Sequence, residues 1–324
     1  MADFQEMAFD YVKSYSDKSR IYFIEKYLST YDENKRKNVP LILFPKQKEF
    51  LHSIGYFSKT IAKKPRRIGM TTILSAWAAA EMVFASTDSP KTILCVGMKL
   101  ELANQLVTKI RNFLLQVPRW YYGFDYYSPD SKSEKNTKDI FIKDGKSELQ
   151  LFNGSKVIAM SSSGFSSKAL SDASIVIFDE AAFIEDGSIV YDVLKLGTAP
   201  SSYDNYKKII MVSTPNGKDK LFYKTYKKAL AKKNDYHIVD FKWFEDPRYN
   251  KNLKWHSKRN NIWIDDWFVE DNIDSPLHFK FCEEKWDNLL KNGWKPTSPW
   301  FENMCKIFYD DANSISRELN ACFT

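Results

Sequence analysis

Glycine is scarce in this 324-residue chain: there are 11, half of the ~7% usage of ordinary globular proteins, so a glycine inside a motif carries information. Cysteine is scarcer. Cys95, Cys282, Cys305 and Cys322 stand far apart with no C-x-x-C pair, and His52, His237, His256 and His278 show no ligand spacing, which argues against a disulfide framework or a zinc site. Long apolar runs are missing too. The longest, Ile73 to Ala85, is interrupted by Glu81, and the opening MADFQEMAFDYVKSYSDKSR has no apolar signal core, so neither a membrane span nor a secretory leader is expected. The expectation is a soluble protein of a reducing cytoplasm, with no membrane partner.

What is present is ordinary in bulk and uneven in distribution. Hydrophobic residues at 44% and charged residues at 27% exclude a disordered chain, and the length allows one large core or a core with an appended lobe. The net charge of +7 is concentrated: residues 204–260 hold 15 Lys or Arg against 6 Asp or Glu, so the rest of the chain is slightly acidic. Such a segment is either a solvated face or a phosphate-contacting one.

From Leu41 onward, short apolar runs alternate with amphipathic stretches: Thr92–Val96 then Leu100–Leu115, Ile175–Phe178 then an acidic turn, and Ile209–Val212 then Leu221–Leu230. Runs of four or five apolar residues suit buried parallel strands with helical crossovers, an α/β pattern. Residues 5–30 read as one or two helices, followed by a loop at DENKRKN. Leu149–Phe152 and Val157–Met160 flank Asn153-Gly154, a hairpin expected at the sheet's edge. Residues 118–147 read as an exposed excursion whose aromatic cluster (Trp120, Tyr121, Tyr122, Phe124, Tyr126, Tyr127) is better explained by packing of a long loop than by base stacking. Beyond Pro247 the alternation fades into stretches read as helical, Leu253–Trp267, Phe279–Leu290 and Ala312–Leu319. Residues 1–246 are therefore read as N-terminal helices plus a core, and 247–324 as a smaller, mostly helical lobe.

Three motifs carry chemistry. Lys63-Lys64-Pro65-Arg66-Arg67-Ile68-Gly69-Met70-Thr71-Thr72 runs directly into a helical stretch. A nucleotide-binding P-loop needs a glycine where backbone approaches phosphate, a hydroxyl for Mg2+, a cation on the β/γ-phosphates and a helix N-terminus behind them. Gly69, Thr71 and the helix supply three; the position after Gly69, where G-x-x-x-x-G-K-[ST] puts lysine, is Met70. Alone, the segment is equally a basic loop capping a helix. The second motif, Ile175-Val176-Ile177-Phe178-Asp179-Glu180, is an apolar strand ending in two carboxylates: Asp179 can reach the Mg2+ that Thr71 holds, and Glu180 can orient or deprotonate an attacking water. Together they point to a nucleotide bound with Mg2+. The third, Ile209 to Val212 followed by Ser213-Thr214-Pro215-Asn216-Gly217, ends a strand in two hydroxyls that could sense a γ-phosphate, or simply mark a strand-to-turn boundary. Upstream, Gln47 in Phe44-Pro45-Lys46-Gln47 offers an amide that can pair with adenine.

In this order, Phe-Pro-x-Gln, Arg-Arg-Ile-Gly-Met-Thr-Thr, the strand and helix of Ile93–Leu115, Asn153-Gly154, Phe-Asp-Glu-Ala-Ala-Phe-Ile and Ser-Thr-Pro-Asn-Gly resemble the ATPase domain of the large terminase subunit of tailed bacteriophages. Ser316-Arg317-Glu318-Leu319-Asn320-Ala321-Cys322-Phe323 is similar to that family's stretch just before its nuclease domain. The resemblance implies a RecA-like P-loop NTPase core, with a mostly parallel sheet flanked by helices and a smaller lid or linker subdomain. It implies an ATP-driven motor packaging double-stranded DNA into a procapsid, working as a homo-oligomeric ring on a portal protein with a small terminase subunit, in the host cytoplasm. By position, Gln47 matches the adenine contact, Lys64, Arg66, Arg67, Ile68, Gly69, Met70, Thr71 and Thr72 the ATP-binding loop, Thr71 and Asp179 the metal ligands, Glu180 the catalytic acid, and Ser213, Thr214 and Pro215 the coupling motif.

Met70 departs from the pattern. Loss of a point charge on the β/γ-phosphates needs compensation, which the resemblance assigns to Lys64, with Arg66 or Arg67 as the arginine finger. DNA contact is expected from Lys218, Lys220, Lys224, Lys227 and Lys228. Two other readings compete: a superfamily 2 helicase or translocase fragment, and a non-hydrolysing scaffold. No second glycine-arginine series follows Gly217 to support the first, and the paired Asp179-Glu180 argues against the second. The chain stops at Thr324, inside the family's nuclease boundary, so ATPase activity without DNA cleavage is expected.

Overall fold

The computed structural model describes residues 17–32, 35–122, 140–163, 173–184, 207–218, 220–266 and 276–323. Its centre is an eight-stranded sheet in the order β10-β3-β9-β8-β4-β7-β6-β5. The strands are β3 (Lys59–Lys63), β4 (Thr92–Gly97), β5 (Phe141–Asp144), β6 (Glu148–Leu151), β7 (Lys156–Ser161), β8 (Ile175–Asp179), β9 (Lys208–Ser213) and β10 (His237–Asp240). From β10 through β7 all neighbours are parallel; β6 and β5 add an antiparallel end. The apolar runs Ile175–Phe178 and Ile209–Val212 are buried throughout, as strands covered on both faces must be.

One face is covered by α1 (Asp17–Tyr27), α2 (Pro45–Tyr56), α3 (Met70–Val83) and α4 (Leu100–Leu114). Helix α3 is buried almost all round, with Trp77 1% exposed, because the small side chains of Ala76, Ala78, Ala79 and Ala80 let neighbours close on it. A buried Trp or Ile here contributes roughly 1.5–3 kcal/mol. The other face carries α5 (Leu221–Leu230), a 3-10 turn Ala181–Phe183 and Phe323 from the end of the chain.

The hairpin at Asn153-Gly154 forms as expected, with Gly154 at φ 85°, but it does not end the sheet: β7 pairs with central β4, and the strand Phe141–Asp144 lies outside β6. That strand comes from the stretch expected to be an excursion. Of its aromatic cluster, Tyr121 and Tyr122 are buried against the core, as the packing reading requires, whereas Phe124, Tyr126 and Tyr127 lie outside the described residues. At the N-terminus, β1 (Ser29–Asp32) pairs antiparallel with β2 (Lys37–Pro40), so Asp32, Lys37 and Asn38 of the DENKRKN stretch are strand residues, while residues 33–34 lie outside the described residues.

The C-terminal region corrects one expectation. Of Leu253–Trp267, the described residues 253–266 are not helical: β11 (Lys254–Ser257) and β12 (Ile262–Asp265) form an antiparallel pair, and β13 (Trp294–Thr297) joins β11 from the other side. The reason is local. Trp255, Ile262, Trp263 and Ile264 are β-branched or aromatic, and Asn261, at φ 50°, closes the turn between the strands. Helices α6 (Pro276–Lys291) and α7 (Pro299–Ile307) flank this small sheet around a core of Trp243, Phe244, Trp255, Phe279 and Trp286. A short turn Ala312–Ser314 then runs into a π-helical turn Ile315–Leu319.

Candidate active site

Parallel register gathers the three motifs. Lys63 pairs with Ser213 across β3 and β9, and Val212 pairs with Asp179 across β9 and β8, so Lys64, Thr214 and Glu180 all leave the same carboxyl edge of the sheet. Strands β9 and β8 lie between β3 and β4, although β4 follows β3 in the chain. That crossover opens a crevice at the strand ends, where open α/β sheets bind ligands.

The loop from β3 to α3 is shaped by two left-handed residues, Arg67 (φ 63°) and Gly69 (φ 78°). Gly69 caps α3, and a side chain there would be strained whatever the space. The Gly69 carbonyl accepts from the Thr72 and Ile73 N–H groups at 3.0 and 3.1 Å, and the amides before them carry the positive end of the helix dipole, which suits an anion. Gln47 braces the loop from behind: its Nε2 donates to the Ile68 carbonyl at 2.9 Å and its Oε1 accepts from Phe44 N–H at 3.3 Å. Ile68 and Met70 are both buried in the core, so the position that usually carries lysine is packed into the interior. The Arg67 carbonyl accepts from Tyr249 Oη at 2.7 Å and from Arg248 Nη2 at 3.3 Å.

Lys64, 5% exposed, places its ammonium 2.7 Å from Glu180 Oε1 and 3.3 Å from Thr214 Oγ1. Glu180 turns back on itself at φ 53°, a conformation costing about 1–3 kcal/mol for a non-glycine residue. Its second oxygen, Oε2, lies 3.3 Å from Ser213 Oγ and 3.3 Å from the Thr214 N–H. Ser213 Oγ also accepts from Ala182 N–H at 3.0 Å, locking the end of β9 to the turn after β8. Thr71 donates to Asp179 Oδ2 at 2.7 Å. Burial, then the neighbouring Glu180 carboxylate, push the Asp179 carboxyl above the ordinary carboxylate range, against the opposing pull of Lys64 and the Thr71 hydroxyl. A hydroxyl and a carboxylate in contact, the latter short of positive partners, form a hard-oxygen donor pair that fits Mg2+.

Of the residues singled out in the sequence, Lys64, Thr71, Asp179, Glu180, Ser213 and Thr214 meet at one point. Pro215 is buried beside them. Thr72 faces elsewhere and accepts from Lys109 Nζ at 3.3 Å. Arg66 lies at the rim with its side chain 60% exposed and its Nε 3.1 Å from Glu318 Oε2. The lysines Lys218, Lys224, Lys227 and Lys228 are exposed on and before α5, and Lys220 is half-buried. Sequence reading missed Glu318, Arg248 and Tyr249 as neighbours of the loop, since nothing in local spacing links them to a motif some 180 to 250 residues away.

Residues 61–265, more than half of the chain, match the family described as terminase large subunit, T4-like-virus type, N-terminal. The crystal structure of the HK97 bacteriophage large terminase superposes with a TM-score of 0.53 at 17% identity, over 94% of this chain and 54% of that one. The ATPase domain of the Thermus phage P74-26 large terminase aligns with a TM-score of 0.48 at 12% identity, over 86% of this chain and 93% of that one. The likeness to the HK97 protein shows a common RecA-like fold, and this chain spans about half of that protein's length. No curated protein sequence matches the chain.

Proposed function

We propose, from the premise that the chain belongs to the T4-like-virus type of terminase large subunits, that it is the ATP-hydrolysing motor domain that drives double-stranded DNA into a procapsid. The observation that carries this reading is Glu180, which touches Lys64 through one oxygen and the Ser213–Thr214 strand end through the other. One carboxylate thereby joins Lys64, the cation assigned to the phosphates, to the segment that leads into the basic helix α5.

Each residue then has a role. The α3 N-terminus and the Lys64 ammonium receive the phosphates, Lys64 supplying the charge that Met70 does not. Thr71 and Asp179 would hold Mg2+, which when bound neutralises charge on the β- and γ-phosphate oxygens. Glu180 holds the water in line and takes its proton. Arg66 acts as the finger: its guanidinium is exposed at the rim and paired with Glu318, and Arg67, also exposed, stands next to it with its carbonyl held by Tyr249 and Arg248. Gln47 supports the loop and retains amide capacity for adenine, since each end makes one of its two bonds to the protein. Ser213, Thr214 and Pro215 pass a shift of Glu180 to α5, whose lysines 224, 227 and 228, with 218 and 220 before it, contact DNA phosphates. A homo-oligomeric ring on a portal, a small terminase subunit and the host cytoplasm complete the proposal.

The test is ATP turnover by the wild type and Glu180→Gln, with and without duplex DNA. Turnover by the wild type, stimulated by duplex and lowered at least 100-fold by Glu180→Gln, is the expected result. Absence of hydrolysis under all conditions returns the scaffold reading; stimulation by single strands with duplex unwinding returns the helicase. DNA affinity should fall steeply with salt, and replacing Lys224 and Lys227 by alanine should lower the log–log salt slope by about 2.

A further inference from the structure

Arg66 does not lie loose at the rim. Its main-chain N–H donates to the Glu318 carbonyl at 2.8 Å, and its Nε stands 3.1 Å from Glu318 Oε2. The carboxylate that holds it is itself held. Glu318 is 5% exposed, and its Oε1 accepts from Arg317 Nε at 2.9 Å. The segment around it is anchored on both sides: Leu319 and Ala321 are buried, and Phe323 packs on Tyr223 and Tyr226 of α5 with ring centroids 4.8 and 5.4 Å away. A buried carboxylate set between two guanidiniums is a fixed point, and the flexible partner takes its orientation from it.

The nitrogen engaged is the informative detail. A guanidinium whose ion pair is shortest at Nε, and whose Nη1 and Nη2 make no hydrogen bond among the described residues, keeps that terminal edge available for a second, two-pronged contact, and phosphate oxygens match it. We propose that Glu318 is a positioning residue for the arginine finger: it seats Arg66 from the C-terminal segment with its phosphate-binding edge turned outward. The inference rests on the ATPase reading above and adds to it a residue 252 positions from Arg66. It also gives that segment a mechanical meaning, since one short stretch touches Arg66 at Glu318 and the basic helix at Phe323.

The experiment compares wild type, Glu318→Gln, Arg66→Ala and the double variant by steady-state ATP turnover, by affinity for ADP and for ADP with aluminium fluoride, and by thermal melting. Expected for Glu318→Gln is a kcat about 10–100-fold lower, with KM for ATP, affinity for ADP and melting temperature little changed. Preference for ADP–aluminium fluoride over ADP should drop in parallel. In the Arg66→Ala background the same substitution should have no further effect. If Glu318→Gln fails to fold, Glu318→Asp keeps the charge while retracting it by one methylene, and is expected to lower kcat less severely at constant KM. A kcat within twofold of wild type, losses that multiply in the double variant, or a fall confined to KM and melting temperature would overturn the assignment. A wild type that binds no ADP and hydrolyses no ATP overturns the ATPase reading and this inference together, whereas an active wild type with an indifferent Glu318→Gln overturns this inference alone.

Discussion

Asp179 and Asp266 both stand at the end of a strand, the first half-buried and the second buried, and the molecule treats them in opposite ways. Asp266, in the C-terminal lobe, accepts from the indole nitrogens of Trp255 and Trp286 at 2.7 and 2.8 Å and from Lys285 Nζ at 2.7 Å. Asp179 accepts from the Thr71 hydroxyl and the Glu180 amide, and faces the Glu180 carboxylate. Three donors including a cation saturate the first. The second is left short of positive charge, next to a like charge, beside a residue in a strained backbone conformation. A buried polar group that is fully partnered specifies a fold; one that is under-partnered at a strand end is poised for a ligand.

The contrast breaks most visibly at Asp179. Asp179→Asn should lower ATP turnover by about 1,000-fold, equivalent to roughly 4 kcal/mol, and remove Mg2+-dependent thermal stabilisation. In metal-free buffer the same variant should melt higher. The sign follows from linkage: a carboxyl raised in the folded state costs nothing below its unfolded pKa, and the cost grows to completion as pH rises through the folded value. Removing the charge lifts that cost at neutral pH. A variant that melts lower than wild type without metal would remove the distinction between the two aspartates.

The next effect belongs to Asp266. Asp266→Ala leaves two indole N–H groups and Lys285 without their acceptor and should cost about 3 kcal/mol of stability, read by chemical denaturation, with turnover per folded molecule unchanged. Loss of turnover without loss of stability would place Asp266 in the site after all.

Glu245 sharpens the comparison as an intermediate case. It is 2% exposed; one oxygen accepts from the Lys242 N–H at 2.8 Å, and the other has no hydrogen-bond partner although Lys242 Nζ lies 3.5 Å away. Burial pushes its carboxyl up to about 7, against the opposing pull of Lys46 and Lys242. Its contribution to stability is therefore full below the unfolded value near ~4.3 and lost as pH rises through about 7. Glu245→Gln should flatten the pH dependence of stability in that window, by up to about 1.4 kcal/mol per pH unit. An unchanged slope in denaturation curves between those limits would rule it out.

Much of the sheet's carboxyl edge, where the candidate site lies, was legible in the residues. Ile175–Asp179 and Lys208–Ser213 read as buried strands because apolar side chains stand on both faces, and a buried strand that ends in Asp-Glu or Ser-Thr must present those groups at the sheet's rim. The C-terminal lobe was less legible. Trp255, Trp263 and Ile264 fit a strand or an apolar helical stripe about equally, and pairing of β11 with β13, about forty residues on, decided for the strand. The hairpin signal at Asn153-Gly154 was read correctly but its place in the sheet was not, since a turn dipeptide says nothing about which strands lie outside it.

The scarcity of glycine drew attention to Gly69, read as the point where a P-loop backbone approaches phosphate, and its φ of 78° adds a local reason why a side chain there would be strained. Local rules also established the α/β alternation and the acidic pair. Tertiary structure alone decided the rest: that Lys64 reaches Glu180, that Met70 belongs to the core, that Arg66 is seated by Glu318, and that Asp266 is held by a lysine and two indoles where Asp179 faces a second carboxylate. The physical reason is the range of the forces involved. Propensity and periodicity act over a few residues, whereas ion pairs and burial depend on which distant segments parallel register and packing bring within about 3 Å of one another.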